Sequence, residues 1–164
     1  MTLALIIHSN NPDGERIARA LQEGLEKSNI ESKSFSAENF AAEPSDIVFV
    51  VATHDFLQLD DNVFRLAQSG VLKGKSVAPV IIDAGLGKKA SEKLKRVLEE
   101  HGAIIAQELS VRKKGALRGI GGKISNEELL RSEAFARKVV QPFTVRVRRE
   151  KEKERISGYK KQAL

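Results

Sequence analysis

The chain has 164 residues, 41% hydrophobic and 30% charged, which fits one globular domain with some length to spare. It has no cysteine, which excludes disulfides, thiolate nucleophiles and cysteine–metal sites, and no apolar run long enough to span a membrane. The formal net charge of +6 sits almost wholly at the C-terminal end, where eight basic residues face three glutamates between Phe143 and Leu164.

Leu3–Ile7 is a short apolar run bounded at once by turn residues, and it predicts a buried strand. No basic segment precedes it, so a secretory leader is not expected and the cytoplasm is the expected compartment. Ser9-Asn10-Asn11-Pro12-Asp13-Gly14 is a dense turn cluster. Ile17, Ala18, Leu21 and Leu25 then recur at helical spacing. The unit is strand, loop, helix, and it aims a helix N-terminus at the strand's C-terminal edge, where backbone N–H groups and the helix dipole favour an anion. The same residues also describe an ordinary helix start, with Asn11 as the cap, Pro12 in the first position and an acidic first turn.

Ile30–Phe35 predicts an edge strand, and Asp46–Ala52 predicts a central strand, apolar without alternation as when helices cover both faces. Thr53-His54-Asp55 follows as a loop, and Asp60-Asp61 caps a helix with Val63, Phe64 and Leu66 inward. Val77–Ile82 predicts the fourth strand, although Pro79 inside it argues against an uninterrupted central position. Asp83-Ala84-Gly85-Leu86-Gly87 is a glycine-rich loop, and Lys88–His101 is a helix ended by Gly102. Ala103–Leu109 predicts the last core strand. Val111–Lys123 is expected to be a glycine-rich basic loop carrying Arg112, Lys113, Lys114, Arg118 and Lys123. Ser125 with Glu128 forms a capping box for a final helix that stops before Pro142. Beyond it, TVRVR alternates like a strand and REKEKERI extends as a charged helix. Strands alternating with helices predict an α/β, doubly wound five-stranded parallel sheet, in a domain of residues 1–142 followed by a basic C-terminal extension, 143–164.

Three segments resemble the flavodoxin-like family, across roughly Leu3 to Val140. They are the first unit ending in ERIARAL, the helix–glycine–strand run KLKRVLEEHGAIIAQEL, and the closing helix KISNEELLRSEAFARKVV. The resemblance implies the strand order 2-1-3-4-5 and FMN at the switch point between the first and third strands. Carried over by position, the phosphate loop is Ser9, Asn10, Asn11, Pro12, Asp13 and Gly14. It departs from the family's pattern. Pro12 stands where glycine is expected and has no N–H, and Asp13 puts a negative charge beside the phosphate. The isoalloxazine loops would be Thr53, His54, Asp55 and Phe56, and Asp83, Ala84, Gly85, Leu86 and Gly87. Phe56 is the one aromatic in the first of these, and the chain has no Trp.

The resemblance implies electron transfer, as a carrier or as an NAD(P)H-linked quinone or flavin reductase, with a redox protein or nicotinamide nucleotide as partner and a homo-oligomer open. The other reading is a flavin-less binding module that docks nucleic acid or another acidic partner through Arg112, Lys113, Lys114, Arg118, Lys123, Arg146, Arg148 and Arg149. His8, His54 and Asp83 would converge on one sheet edge, as a metal or acid–base set or simply as polar strand ends. There is no G-x-S-x-G elbow, and the glycines at Gly119–Gly122 follow a loop rather than a strand, so they are not a dinucleotide fingerprint.

Overall fold

A computed structural model describes residues 3–55, 58–85, 87–117 and 121–162. The elements in order are β1 (Leu3–His8), α1 (Pro12–Lys27), β2 (Glu31–Ser36), a 3₁₀ turn (Ala37–Asn39), β3 (Ile47–Asp55), β4 (Gln58–Leu59) and α2 (Asp61–Gln68). Then come β5 (Ser76–Asp83), α3 (Gly87–Glu100), β6 (Ile104–Ile105), β7 (Leu109–Lys114), β8 (Lys123–Ile124) and α4 (Asn126–Gln162). The sheet runs β2-β1-β3-β5-β7-β8, with the main pairs parallel, so the expected order 2-1-3-4-5 is present. The short β4 and β8 add antiparallel pairs at its margins.

β1, β3 and β5 carry apolar residues on both sides because helices cover both faces. On one face α1 and α4 pack Ile17, Leu21, Leu25, Phe135 and Val139 against Ile6, Phe49 and Val80. Phe49 and Phe135 meet edge to face at 6.2 Å. On the other face α2 and α3 pack Val63, Leu66, Leu94 and Leu98 against Leu5, Val50 and Ile81. Gly24 lets α1 approach α4, since a Cβ there would lie 2.3 Å from the Glu133 carbonyl oxygen.

Several expectations are corrected. The last core strand is split. β6 pairs with β5 through Val77 and β7 resumes at Val80, so the interruption lies beside Pro79. The Val77 carbonyl accepts from Ala106 N at 2.9 Å, and strand residues two apart present their backbone to the same side. The donor Pro79 lacks is therefore missing where no strand needs it, which reconciles a proline with a central strand. Arg112, Lys113 and Lys114 belong to β7 rather than to a loop, and Thr53-His54-Asp55 completes β3.

The final helix does not stop at Pro142. α4 continues to Gln162 with the proline inside it. TVRVR is helical as a continuation of α4, whose turns satisfy their own backbone, and no strand among the described residues pairs with it. Arg146 to Glu150 at 3.0 Å and Glu152 to Arg155 at 3.3 Å support that continuation. No helix among the described residues is long and apolar enough to cross a membrane.

Candidate functional site

The C-terminal edge of the sheet gathers the polar ends of its strands. Register sets His54 opposite Asp83, and Asp83 opposite Arg112. The loop after β1 is stitched to the end of β3. Ser9 N donates to the Val51 carbonyl at 2.9 Å, and the Ser9 hydroxyl oxygen accepts from Thr53 N at 3.0 Å. Ser9 is fully buried, so it faces the sheet rather than a ligand.

Asn11 caps α1 as its type and position predict. Its Oδ1 accepts from Gly14 N at 2.8 Å, while its Nδ2 donates to Thr53 Oγ1 at 2.9 Å. Pro12 takes the first helical turn, and the Glu15 N–H is bonded to the Asn11 carbonyl. Gly14 has no substitute here, because a Cβ would lie 2.3 Å from the Ser9 carbonyl oxygen. The helix start and the loop expected to bind an anion are thus the same residues, and the donors of Gly14 and Glu15 already have internal partners.

Charge at this edge is organised around Lys113. Its side chain is only 7% exposed, and its Nζ lies 2.9 Å from Asp13 Oδ2 and 3.5 Å from Asp55 Oδ1. Burial works against its positive charge, but the hydrogen bond and charge of Asp13, with Asp55 behind it, outweigh burial and hold its pKa above the ordinary lysine value. Asp13 therefore places a carboxylate in the first turn of α1, where the helix dipole favours it.

On the far side of β3, His54 Nδ1 lies 3.5 Å from Asp83 Oδ1, and the same oxygen accepts from Gly85 N at 3.0 Å. Gly85 has φ +131°, a conformation that suits glycine, and nothing lies within 4 Å of where a Cβ would be. His8 Nδ1 is 3.0 Å from the Ser9 carbonyl, which can only accept, so that nitrogen carries the proton.

The other expected residues are dispersed. Asn10 is exposed and reaches Glu38 at 3.4 Å. Ala84 is half-buried beside Gly85, and Gly87 opens α3. Phe56 and Arg118 lie outside the described residues. Arg112, Lys114, Lys123, Arg146, Arg148 and Arg149 are exposed, with Lys114 3.7 Å from Glu127 and Arg146 3.0 Å from Glu150. Lys113 was expected on the surface and is corrected to a buried ion-pair partner. The alternation of Leu109, Val111 and Lys113 along β7 is the signal that could have found it, because it puts Lys113 on the face of Val111. His8, His54 and Asp83 do not make a metal site: among the described residues no three His, Asp or Glu side chains are arranged to hold an ion.

No family profile and no curated protein matches the chain. Solved structures do. Flavodoxin 2 from Bacillus cereus is 18% identical with a TM-score of 0.68, across 87% of this chain and 99% of that one. A flavodoxin from Streptococcus pneumoniae TIGR4 is 18% identical with a TM-score of 0.64, across 87% and 99%. Two-electron reduced Megasphaera elsdenii flavodoxin is 16% identical with a TM-score of 0.61, across 82% and 98%. The fold is flavodoxin-like. In a flavodoxin-like sheet the switch point lies between β1 and β3, and that is where Ser9, Asn11, Asp13, Thr53, Asp55 and Lys113 meet.

Proposed function

We propose that this chain is a flavin-free protein of the flavodoxin-like fold, a binding module whose basic extension docks an acidic partner. The observation that carries this is the Asp13 carboxylate at the start of α1, held by Lys113 at 2.9 Å. That position suits a phosphate in this fold. Two carboxylates share one ammonium there, so the cluster carries a net negative charge. Lys113 offsets one of the two carboxylates, so a phosphate about 8 Å from the cluster meets one uncompensated negative charge, a repulsion of about 2 kcal/mol per unit charge at an effective dielectric near 20. The helix dipole returns about 1 kcal/mol, so repulsion wins. Pro12 removes one donor, and the Gly14 and Glu15 amides are already bonded within the loop. These residues do not fit a flavin phosphate. The excess positive charge lies instead in residues 143–164, where Arg146, Arg148, Arg149, Lys151, Lys153 and Arg155 are exposed.

A second reading keeps FMN and electron transfer, with a redox protein or NAD(P)H as partner. The likeness to flavodoxins across 87% of the chain and the open turn at Gly85 favour it. In that reading the ring would lie against Thr53, His54 and Asp83–Gly87, and the flavin would supply the redox chemistry. The two readings separate in one experiment. The protein is incubated with excess FMN, desalted, and its visible spectrum recorded. The flavin-free reading expects a colourless protein. Retained flavin absorption at one equivalent overturns it and establishes the second reading.

A further inference from the structure

We propose that the outer face of α1 and α4 is a two-fold interface on which a second copy of this chain docks. The proposal does not rest on the flavin-free reading. The exposed charges of α1 are antisymmetric about Leu21. Residues at equal distances before and after it are opposite in sign: Glu15 and Lys27, Arg16 and Glu26, Arg19 and Glu23. All six are exposed. Glu15, Arg16, Arg19, Glu23 and Glu26 have no ion-pair partner among the described residues. Lys27 is bound to Glu133 at 2.6 Å but keeps 58% of its side chain exposed. Asp13, the remaining charge on the helix, is taken by Lys113.

The apolar centre of the face lies at the same level. α1 and α4 run in the same direction, because one groove takes Arg16 with Asn126 and a later one takes Asn29 with Arg137 and Gln141. Gly24 is level with Glu133, since a Cβ on it would lie 2.3 Å from the Glu133 carbonyl oxygen. Leu21 and Leu130 each stand one helical turn earlier, so they are level too. Leu130 is 64% exposed and lines, with Ala20 and Leu129, a groove of about 350 Å³ between the helices.

A two-fold axis crossing both helices at this level, in the plane of the face, lays each helix antiparallel on its own copy. Arg19 then approaches Glu23 of the second copy, Arg16 approaches its Glu26 and Glu15 its Lys27, and each pair occurs twice. Leu130 meets Leu130 of the second copy, which gives an apolar centre inside a charged rim. The acids of α4 equidistant from Leu130 are Glu127 and Glu133, and both already have cations of their own chain, Lys114 at 3.7 Å and Lys27 at 2.6 Å. The six α1 charges sum to zero, so the face does not repel itself. Another kind of partner would need a separately matched surface, whereas a second copy needs only the antisymmetry that α1 carries.

The test is sedimentation equilibrium of the full chain from about 1 μM to about 1 mM. The mass should rise from 18.1 kDa toward twice that value, as for a small, charged interface. Leu130→Glu, which sets two carboxylates against each other at the centre, should raise the dissociation constant at least about tenfold. R16E/R19E and E23R/E26R should each do the same, because like charges then face each other. Mixed in equal amounts, the two charge variants should pair again, since each supplies the sign that the other lacks. Circular dichroism checks that the variants keep the native fold, and Leu130→Ser replaces the glutamate variant if that one does not. A native chain that stays at 18.1 kDa throughout overturns the inference. So does a dimer that a folded Leu130 variant leaves unchanged, or a pair of folded charge variants that remain apart when mixed. The FMN test is independent: retained flavin overturns the flavin-free reading alone, and a colourless chain that stays monomeric overturns only this inference.

Discussion

Replacing Lys113 by Met tests whether the ion cluster holds the first loop to the sheet. Methionine keeps the length and the apolar stem of lysine and removes the charge. Removing one partner of a buried pair costs about 3–5 kcal/mol when the other is left buried and uncompensated. Here the loss is smaller, because Asp13 is 27% exposed and Asp55 55% exposed, so water and the α1 dipole hold much of their charge. We expect about 2 kcal/mol. With a urea m-value of about 2 kcal/mol/M, the midpoint should fall by about 1 M at unchanged m. The double variant D13N/K113M should lose less than the sum of the single variants, with a coupling of about 1 kcal/mol. Because its pKa is raised in the folded state, the contribution of Lys113 is complete below its unfolded value, about 10.5. It is lost as pH rises through the folded value, so native and variant midpoints should converge in strong alkali. A loss under about 0.5 kcal/mol with no coupling would refute the cluster's structural role.

Gly14→Ala should destabilise by about 1–3 kcal/mol in the same assay, because the new methyl group must displace the Ser9 carbonyl at 2.3 Å. Phe49→Ala, emptying a fully buried site against Phe135, should cost about 3–5 kcal/mol. A chain ending at Thr144 should unfold within about 0.5 kcal/mol of the full chain, since Val145, Arg146 and residues 148–158 are exposed, while its helical circular dichroism falls.

Much of the fold is legible in sequence because its strands are buried on both faces. Ile47–Ala52 and Val77–Ile82 read as strands from their unbroken apolar runs, and Asn11 with Pro12 reads as a helix start. The failures have physical causes. Pro79 argues against a central strand until the break between β6 and β7 shows that its missing donor has no partner to lose. TVRVR has a strand's period, but it continues α4 and no strand among the described residues pairs with it. The ion cluster was hidden because Asp13, Asp55 and Lys113 come from three distant segments, and only the sheet order brings them together. Charge type alone made Lys113 look like a surface contact. Its place on the Val111 face makes it a counterion instead.

The central claim is that the N-terminus of α1 is closed to a phosphate by its own carboxylate. Amide resonances of Asn11, Asp13, Gly14 and Glu15, followed by ¹H–¹⁵N spectroscopy during an FMN titration, test it most directly. The account predicts that these amides do not move up to high micromolar FMN. Saturable shifts concentrated on those four residues would contradict it and show that the loop still receives a phosphate.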